Sequence, residues 1–273
     1  MQITIEHDNK NFTMNSQQFV DISIPYHFNG EQPNFYDVDK GNLTPFKTGD
    51  QSWSVEHGAS CNVPEISMNI HCTGTHTESV GHLLKDPGDI GDVLVDTFLP
   101  AVLISVHPNK FGDCDESYHC KVAKQEAVIS MDSIKSKFEK WFSFKPTALI
   151  IRSLPNDEYK KSLRFNDLPP PFFSNNALQY VSKLGINHLV VDLPSVDRMS
   201  DDGILGNHCI FWGDGKNPKG GLNPESKKTI TELVYIPNTL EDGFYFLNLQ
   251  IPHFVCDAAP SRPMLFAPKE LKG

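Results

Sequence analysis

A chain of 273 residues with 39% hydrophobic side chains and a mean hydropathy of −0.34 can bury a core that needs no disulfide staples. Its formal net charge of −10 excludes non-specific binding to nucleic acid or anionic membranes, since both need a basic face. The first residues lack the basic and apolar regions of a secretory leader, no apolar run reaches transmembrane length, and the six cysteines are irregularly spaced, so a cytoplasmic protein with reduced thiols is expected.

Residues 3–6 alternate apolar and polar and predict a short strand. Residues 19–25 are richer in β-branched side chains, end at Pro25 and predict a second. Residues 26–62 read as a long loop carrying Phe28, Phe35, Tyr36 and Trp53. Aromatics on such a loop cover a site, pack on a neighbouring subunit, or anchor the loop itself. Residues 65–71 alternate through Ile66, Met68 and Ile70 and predict a strand leading into the densest chemistry of the chain.

Residues 71–82 read His-Cys-Thr-Gly-Thr-His-Thr-Glu-Ser-Val-Gly-His. His71, Cys72, His76, Glu78 and His82 are all metal ligands or proton-transfer groups. In an extended backbone Cys72, His76 and Glu78 share a face and His71 points away. In a helix the spacing of four again pairs Cys72 with His76. Both periods favour Cys72 over His71, although Gly74 and Thr75 can turn the chain between them. Glu78 and His82 are four apart, which suits a short helix, and Gly81 leaves room for a close approach. A lone histidine is usually structural, whereas five such groups in twelve residues point to a metal site. The spacing is neither the H-E-x-x-H of a zincin nor a C-x-x-C ribbon.

Residues 85–89 read as a turn and residues 99–106 as a buried strand. Cys114, His119 and Cys120 lie in an irregular acidic stretch that reads as an exposed loop, with a second metal site as the alternative. Residues 130–142 predict a helix capped by Ser130, with Ile134, Phe138 and Trp141 on one face. Residues 147–152 form a buried strand and residues 154–173 a polar, proline-rich connection. Residues 174–184 predict a helix capped by Ser174 and ended by Gly185, and residues 186–191 another buried strand. Strand, helix and strand with short joints make a βαβ unit, so part of the sheet is parallel and functional residues gather at its strand ends. Residues 229–236 are a β-rich run interrupted by Glu232, a carboxylate that needs a partner if buried. Residues 244–251 are the last clear strand. No repeat or linker divides residues 1–273, which read as one domain.

Residues 72–82 resemble the signature H-x-G-T-H-x-D-x-P-x-H of the cyclase family of metal-dependent hydrolases. Val20-Asp-Ile-Ser, Val191-Asp-Leu-Pro-Ser-Val-Asp197, His208, Thr231-Glu232-Leu233 and Asp257-Ala-Ala-Pro-Ser-Arg262 are similar to further landmarks of that family, in the same order. The resemblance implies a single α/β domain of the swivelling type, a layered β/β/α fold with a mixed sheet, assembled as a homodimer or homotetramer. It implies Cys72, His76 and Glu78 as ligands of zinc, or alternatively manganese, with His208 and Glu232 completing the site. It further implies a small-molecule substrate with an amide, formamide or lactam bond, metal-bound water as nucleophile and His82 as general acid/base.

The sequence departs from the signature at three positions. Cys72 replaces a histidine, and a thiolate there favours softer metals. Glu78 replaces an aspartate and Val80 a proline. The Trp-Pro-Gly-Asp stretch of the family's kynurenine formamidases is also missing. A relative that binds metal or ligand without turnover is therefore the alternative reading, and an enzyme with Cys72 as nucleophile a third.

Overall fold

The apolar runs at residues 99–106, 148–153 and 188–191 are buried almost throughout, so they read as continuous hydrophobic stretches and lie in parallel at the centre of a sheet. The computed structural model describes residues 1–271. Among the described residues the main sheet has nine strands: β1 (Val20–Asp21), β2 (His76–Glu78), β3 (Leu99–Val106), β4 (Ala148–Ser153), β5 (His188–Val191), β6 (Thr229–Glu232), β7 (Gly243–Asn248), β8 (Ala258–Pro260) and β9 (Met264–Phe266). Their order is β8-β2-β6-β5-β4-β3-β7-β9-β1. The run β6-β5-β4-β3 is parallel and the flanking pairings are antiparallel. This is the mixed-sheet α/β architecture expected.

Pleating sends alternate side chains to two cores. Val102, Ile104, Leu149, Ile151, Leu189 and Ile230 pack against the helices α1 (Met131–Phe138), α2 (Asn175–Lys183) and α3 (Gly206–Trp212). Ala101, Leu103, Ile150 and Val190 face the other way, with Ile22, Ile236, Leu247 and Leu265. Each aliphatic side chain buried contributes about 1.5–3 kcal/mol, and a one-residue slip would exchange the two sets, so the register is strongly fixed. Ser130 Oγ and Ser174 Oγ cap α1 and α2 by accepting from Ser133 N and Ala177 N, and Gly185 ends α2 with φ +77°. A small sheet of Gln2–His7, Lys10–Asn15 and Lys269–Leu271 covers Phe246 and Phe266 through Phe12 and Met14.

The elements differ from expectation in several places. The helix expected over residues 130–142 gives way after Phe138 to a 3-10 segment, Glu139–Phe144. Residues 19–25 keep only a two-residue strand and a bridge from Ser23 to Val234. Residues 64–67 do form a strand, but it is exposed and pairs with Asn42–Pro45 in an arm outside the main sheet. The chain then turns through residues 70–74 before β2 begins. α3 is buried on every side and is preceded by Leu205, at φ +50° with no side-chain cap, so it lacks both amphipathic period and start signal. Among the described residues no helix is long and apolar enough to cross a membrane.

Candidate metal centre

His76 and Glu78, two apart on β2, share a face, and the register sets Glu232 of β6 beside His76 on that face. It is the helix-covered face, because Ile230, opposite Glu78, packs with the helices. α3 brings His208 over it, with Nε2 3.0 Å from Glu78 Oε1 and 3.8 Å from Glu232 Oε1. The turn at residues 70–74 brings in His71, whose Nδ1 is 3.1 Å from Glu78 Oε2. His82, on the 3-10 turn Val80–Leu83, sets its Nε2 3.9 Å from the same oxygen. Gly81 makes that turn possible, because a Cβ there would lie 1.9 Å from the Pro87 carbonyl oxygen. The donor atoms of His71, His76 and Glu78 lie within 4.8 Å of one another, as do those of Glu78, His208 and Glu232. Glu78 is common to both groups.

The electrostatics of these groups fit a divalent cation. His76 Nδ1 lies 3.0 Å from the Gly74 carbonyl oxygen and can only donate to it. Nε2 therefore carries a lone pair. It is buried, has no hydrogen-bond partner among the described residues, and faces Glu232 Oε2 at 3.6 Å. Burial, then the neighbouring His71, holds His76 down to about 4, so the ring is neutral at physiological pH. A lone pair facing an ionised buried carboxylate is repulsive, and either a cation or a proton taken up by Glu232 relieves it. Burial and then the charge of Glu78 push Glu232 well above the usual carboxylate range. Glu78 goes the other way: its burial is outweighed by His82, His208 and His71, which hold it well below. His71, against its own burial, is raised to about 10 by Asp257 and Glu78, and His208 is raised by Asp197 and Glu78. The protons on His71 and His208 thus neutralise the same glutamates that a metal would neutralise, and imidazole with carboxylate is a first-row metal donor set.

Cys72 lies outside both groups. The extended period that favoured it over His71 fails because residues 70–74 turn. The turn is packed tightly, since a Cβ on Gly74 would lie 2.6 Å from the Tyr26 ring. Cys72 packs with Ile24, Phe35, Phe165, Leu233 and Tyr235. Burial, with the charge of Glu232, pushes its thiol up to about 11, which disfavours the thiolate that a soft ligand or nucleophile requires. His71 occupies the position in the donor group that the period had given to Cys72.

Two carboxylates not singled out as site residues hold the imidazoles from behind. Asp197 Oδ2 is 2.7 Å from His208 Nδ1. Asp257 Oδ2 is 3.0 Å from His71 Nε2 and 3.1 Å from His82 Nδ1. Both stand in landmark stretches of the sequence, which was the available signal. His119, expected on an exposed loop, has a buried ring beside Asp197 and Asp201.

The Cyclase family model matches residues 20–198. A kynurenine formamidase of Bacillus mycoides is 24% identical over 259 residues, 92% of this chain and 99% of that protein. Isatin hydrolase A from Labrenzia aggregata aligns with a TM-score of 0.61 at 13% identity, covering 92% of this chain and 93% of that one. Isatin hydrolase A from Ralstonia solanacearum aligns with a TM-score of 0.58 at 13% identity, covering 92% of each. The structural likenesses show a shared fold, and with a family match that spans well over half of its length the chain belongs to the Cyclase family.

Proposed function

We propose that this chain is a metal-dependent hydrolase that opens an amide, formamide or lactam bond of a small molecule. The observation that carries the reading is the unpartnered, buried Nε2 of His76 facing Glu232 beside Glu78. The names of the relatives, kynurenine formamidase and isatin hydrolase, support the bond class. His71, His76 and Glu78 hold one ion, and Glu78, His208 and Glu232 a second. Three imidazoles and two carboxylates suit zinc, with manganese the alternative.

When bound, the metal supplies an activated water and polarises the scissile carbonyl. The remaining work falls to side chains. Asp197 holds the His208 ring so that Nε2 faces Glu78. His82 sits at the rim, 27% exposed, with Nε2 turned inward, and moves the proton to the leaving nitrogen. Tyr36 is half exposed, lies tilted against Phe35 with ring centroids 4.0 Å apart, and donates to the Met199 carbonyl, which gives an apolar substrate a wall near the site. The protein works as a homodimer or homotetramer, and the arm bearing exposed Leu43 and Ile66 is the surface offered for assembly. All six cysteines are free, which suits a reducing cytoplasm.

The test pairs metal content with turnover of an aryl formamide and a fused lactam. His82→Ala should keep its metal and lose about 10²–10⁴-fold in turnover. Wild type that binds metal yet turns over no amide would leave the non-catalytic alternative. Equal metal loss in His82→Ala and His76→Ala would remove the role given to His82.

A further inference from the structure

Asp257 directly precedes β8, and one of its oxygens meets two rings at once. Oδ2 is 3.0 Å from His71 Nε2 and 3.1 Å from His82 Nδ1. A carboxylate only accepts, so both of these ring nitrogens carry hydrogen. The other nitrogen of each ring points at one and the same atom: His71 Nδ1 is 3.1 Å, and His82 Nε2 3.9 Å, from Glu78 Oε2. The ring centroids are 4.3 Å apart. Asp257 is itself fixed to the turn that carries His82, because its carbonyl oxygen accepts from Ser79 N at 3.0 Å and Ser79 Oγ at 3.2 Å. Its side chain, by contrast, contacts only the two histidines among the hydrogen-bond partners described.

We propose that Asp257 is a positioning residue that sets the orientation and tautomer of both rings together. It presents His71 Nδ1 as a donor atom toward Glu78 and His82 Nε2 as the proton-transfer atom beside it. What those two nitrogens do rests on the metal-hydrolase reading; how the rings are held does not. One carboxylate thereby couples metal retention to proton transfer. Removing it frees a ring to rotate or to exchange tautomers, and carboxylates behind ligating histidines are generally worth about 10–100-fold in metal affinity. The loss for His82 falls on turnover rather than on substrate binding, since His82 acts on the leaving group.

The experiment compares wild type with Asp257→Ala in two ways. Crystal structures of chelator-stripped protein read ring orientation without any metal. Wild type should show both rings on Asp257 Oδ2, and Asp257→Ala should show His82 in more than one rotamer. Zinc titration and kinetics read the consequence. Zinc affinity should fall about 10–100-fold. At saturating zinc, turnover of an aryl formamide should fall about 10²-fold with KM little changed, while an activated nitrophenyl ester, whose leaving group needs no proton, loses less than about tenfold. Rings that keep their wild-type orientation in Asp257→Ala, or equal losses on amide and ester, would overturn the inference. Wild type that binds no zinc would overturn the metal reading alone, because the stripped crystals still decide how the rings are held. Should Asp257→Ala not fold, Asp257→Leu keeps the bulk and offers no acceptor, and the same outcomes apply.

Discussion

At His76 and at His119 the chain buries an imidazole whose Nε2 has no hydrogen-bond partner among the described residues. Both nitrogens face carboxylates, Glu232 Oε2 at 3.6 Å from His76 and Asp201 Oδ2 at 3.5 Å from His119. The other ring nitrogen separates them. His76 Nδ1 faces the carbonyl of Gly74, so the hydrogen is there and Nε2 is a bare lone pair. His119 Nδ1 faces Asn175 Nδ2, whose second partner is Asn207 Oδ1. That amide cannot be reversed, because Asn207 Nδ2 is held by the carbonyls of Phe173 and Val196. His119 Nδ1 is therefore an acceptor, and its Nε2 carries a hydrogen toward Asp201 and Asp197. The carboxylates differ as well. Asp201 accepts from Gly203 N and Leu205 N, and Asp197 from Tyr118, Asn207 N and His208. Glu78 meets imidazoles alone among the described residues, and Glu232 accepts from Val196 N through Oε1 while its Oε2 faces His76. Residue types that look alike in a sequence thus make one centre with a bare lone pair that calls for a cation, and one whose ring nitrogen turns a hydrogen toward carboxylates already held by other donors.

The largest expected effect is the gap between His76→Ala and His119→Ala. His76→Ala should lose its metal on elemental analysis, and turnover with it. His119→Ala should keep the wild-type metal content and lose about 1–3 kcal/mol of stability in denaturant unfolding, the cost of opening a buried polar network. Metal loss in His119→Ala would erase the distinction between the two centres.

A second contrast lies in pH. In the metal-free protein His71 is raised to about 10 and His76 lowered to about 4. At neutral pH a metal must displace the proton of His71 and none from His76. Affinity for zinc should therefore rise with pH, by about tenfold per unit for each proton released. The metal-free protein should move the opposite way. The stability that His71 contributes is fully present below its unfolded value of about 6.5 and is lost as pH climbs toward about 10. Zinc affinity flat between neutral pH and the alkaline range would mean that His71 is not displaced. The smallest effect is expected at Cys72, which lies among apolar side chains outside the donor groups. Cys72→Ser should change stability by about 1 kcal/mol and leave zinc affinity at the wild-type value.

Much of the architecture was legible in the sequence because periodicity and caps are local. The buried runs, the βαβ unit and the caps Ser130 and Ser174 all fall where residues 99–106 and 130–191 put them. What escaped depended on tertiary context. The choice of Cys72 over His71 assumed an unbroken backbone period, and the turn at residues 70–74 breaks it. α3, which carries His208, shows no apolar stripe because every face of it is buried. β8 and β9 have three residues each, too few for alternation to register. Asp257 and Asp197 act on rings 175 and 11 residues away, and no spacing rule reaches the first of these. His119 sits in an irregular acidic stretch, and only the fold reveals that Asn175 and Asn207 enclose it.

The most direct measurement is elemental analysis of protein purified without added metal or chelator, on wild type, Cys72→Ser and His71→Ala. About two zinc or manganese ions per chain are expected, one for each donor group that would hold a metal. That content should persist in Cys72→Ser and fall in His71→Ala. Wild type that is metal-free and takes up neither ion, or a loss confined to Cys72→Ser, would contradict that expectation.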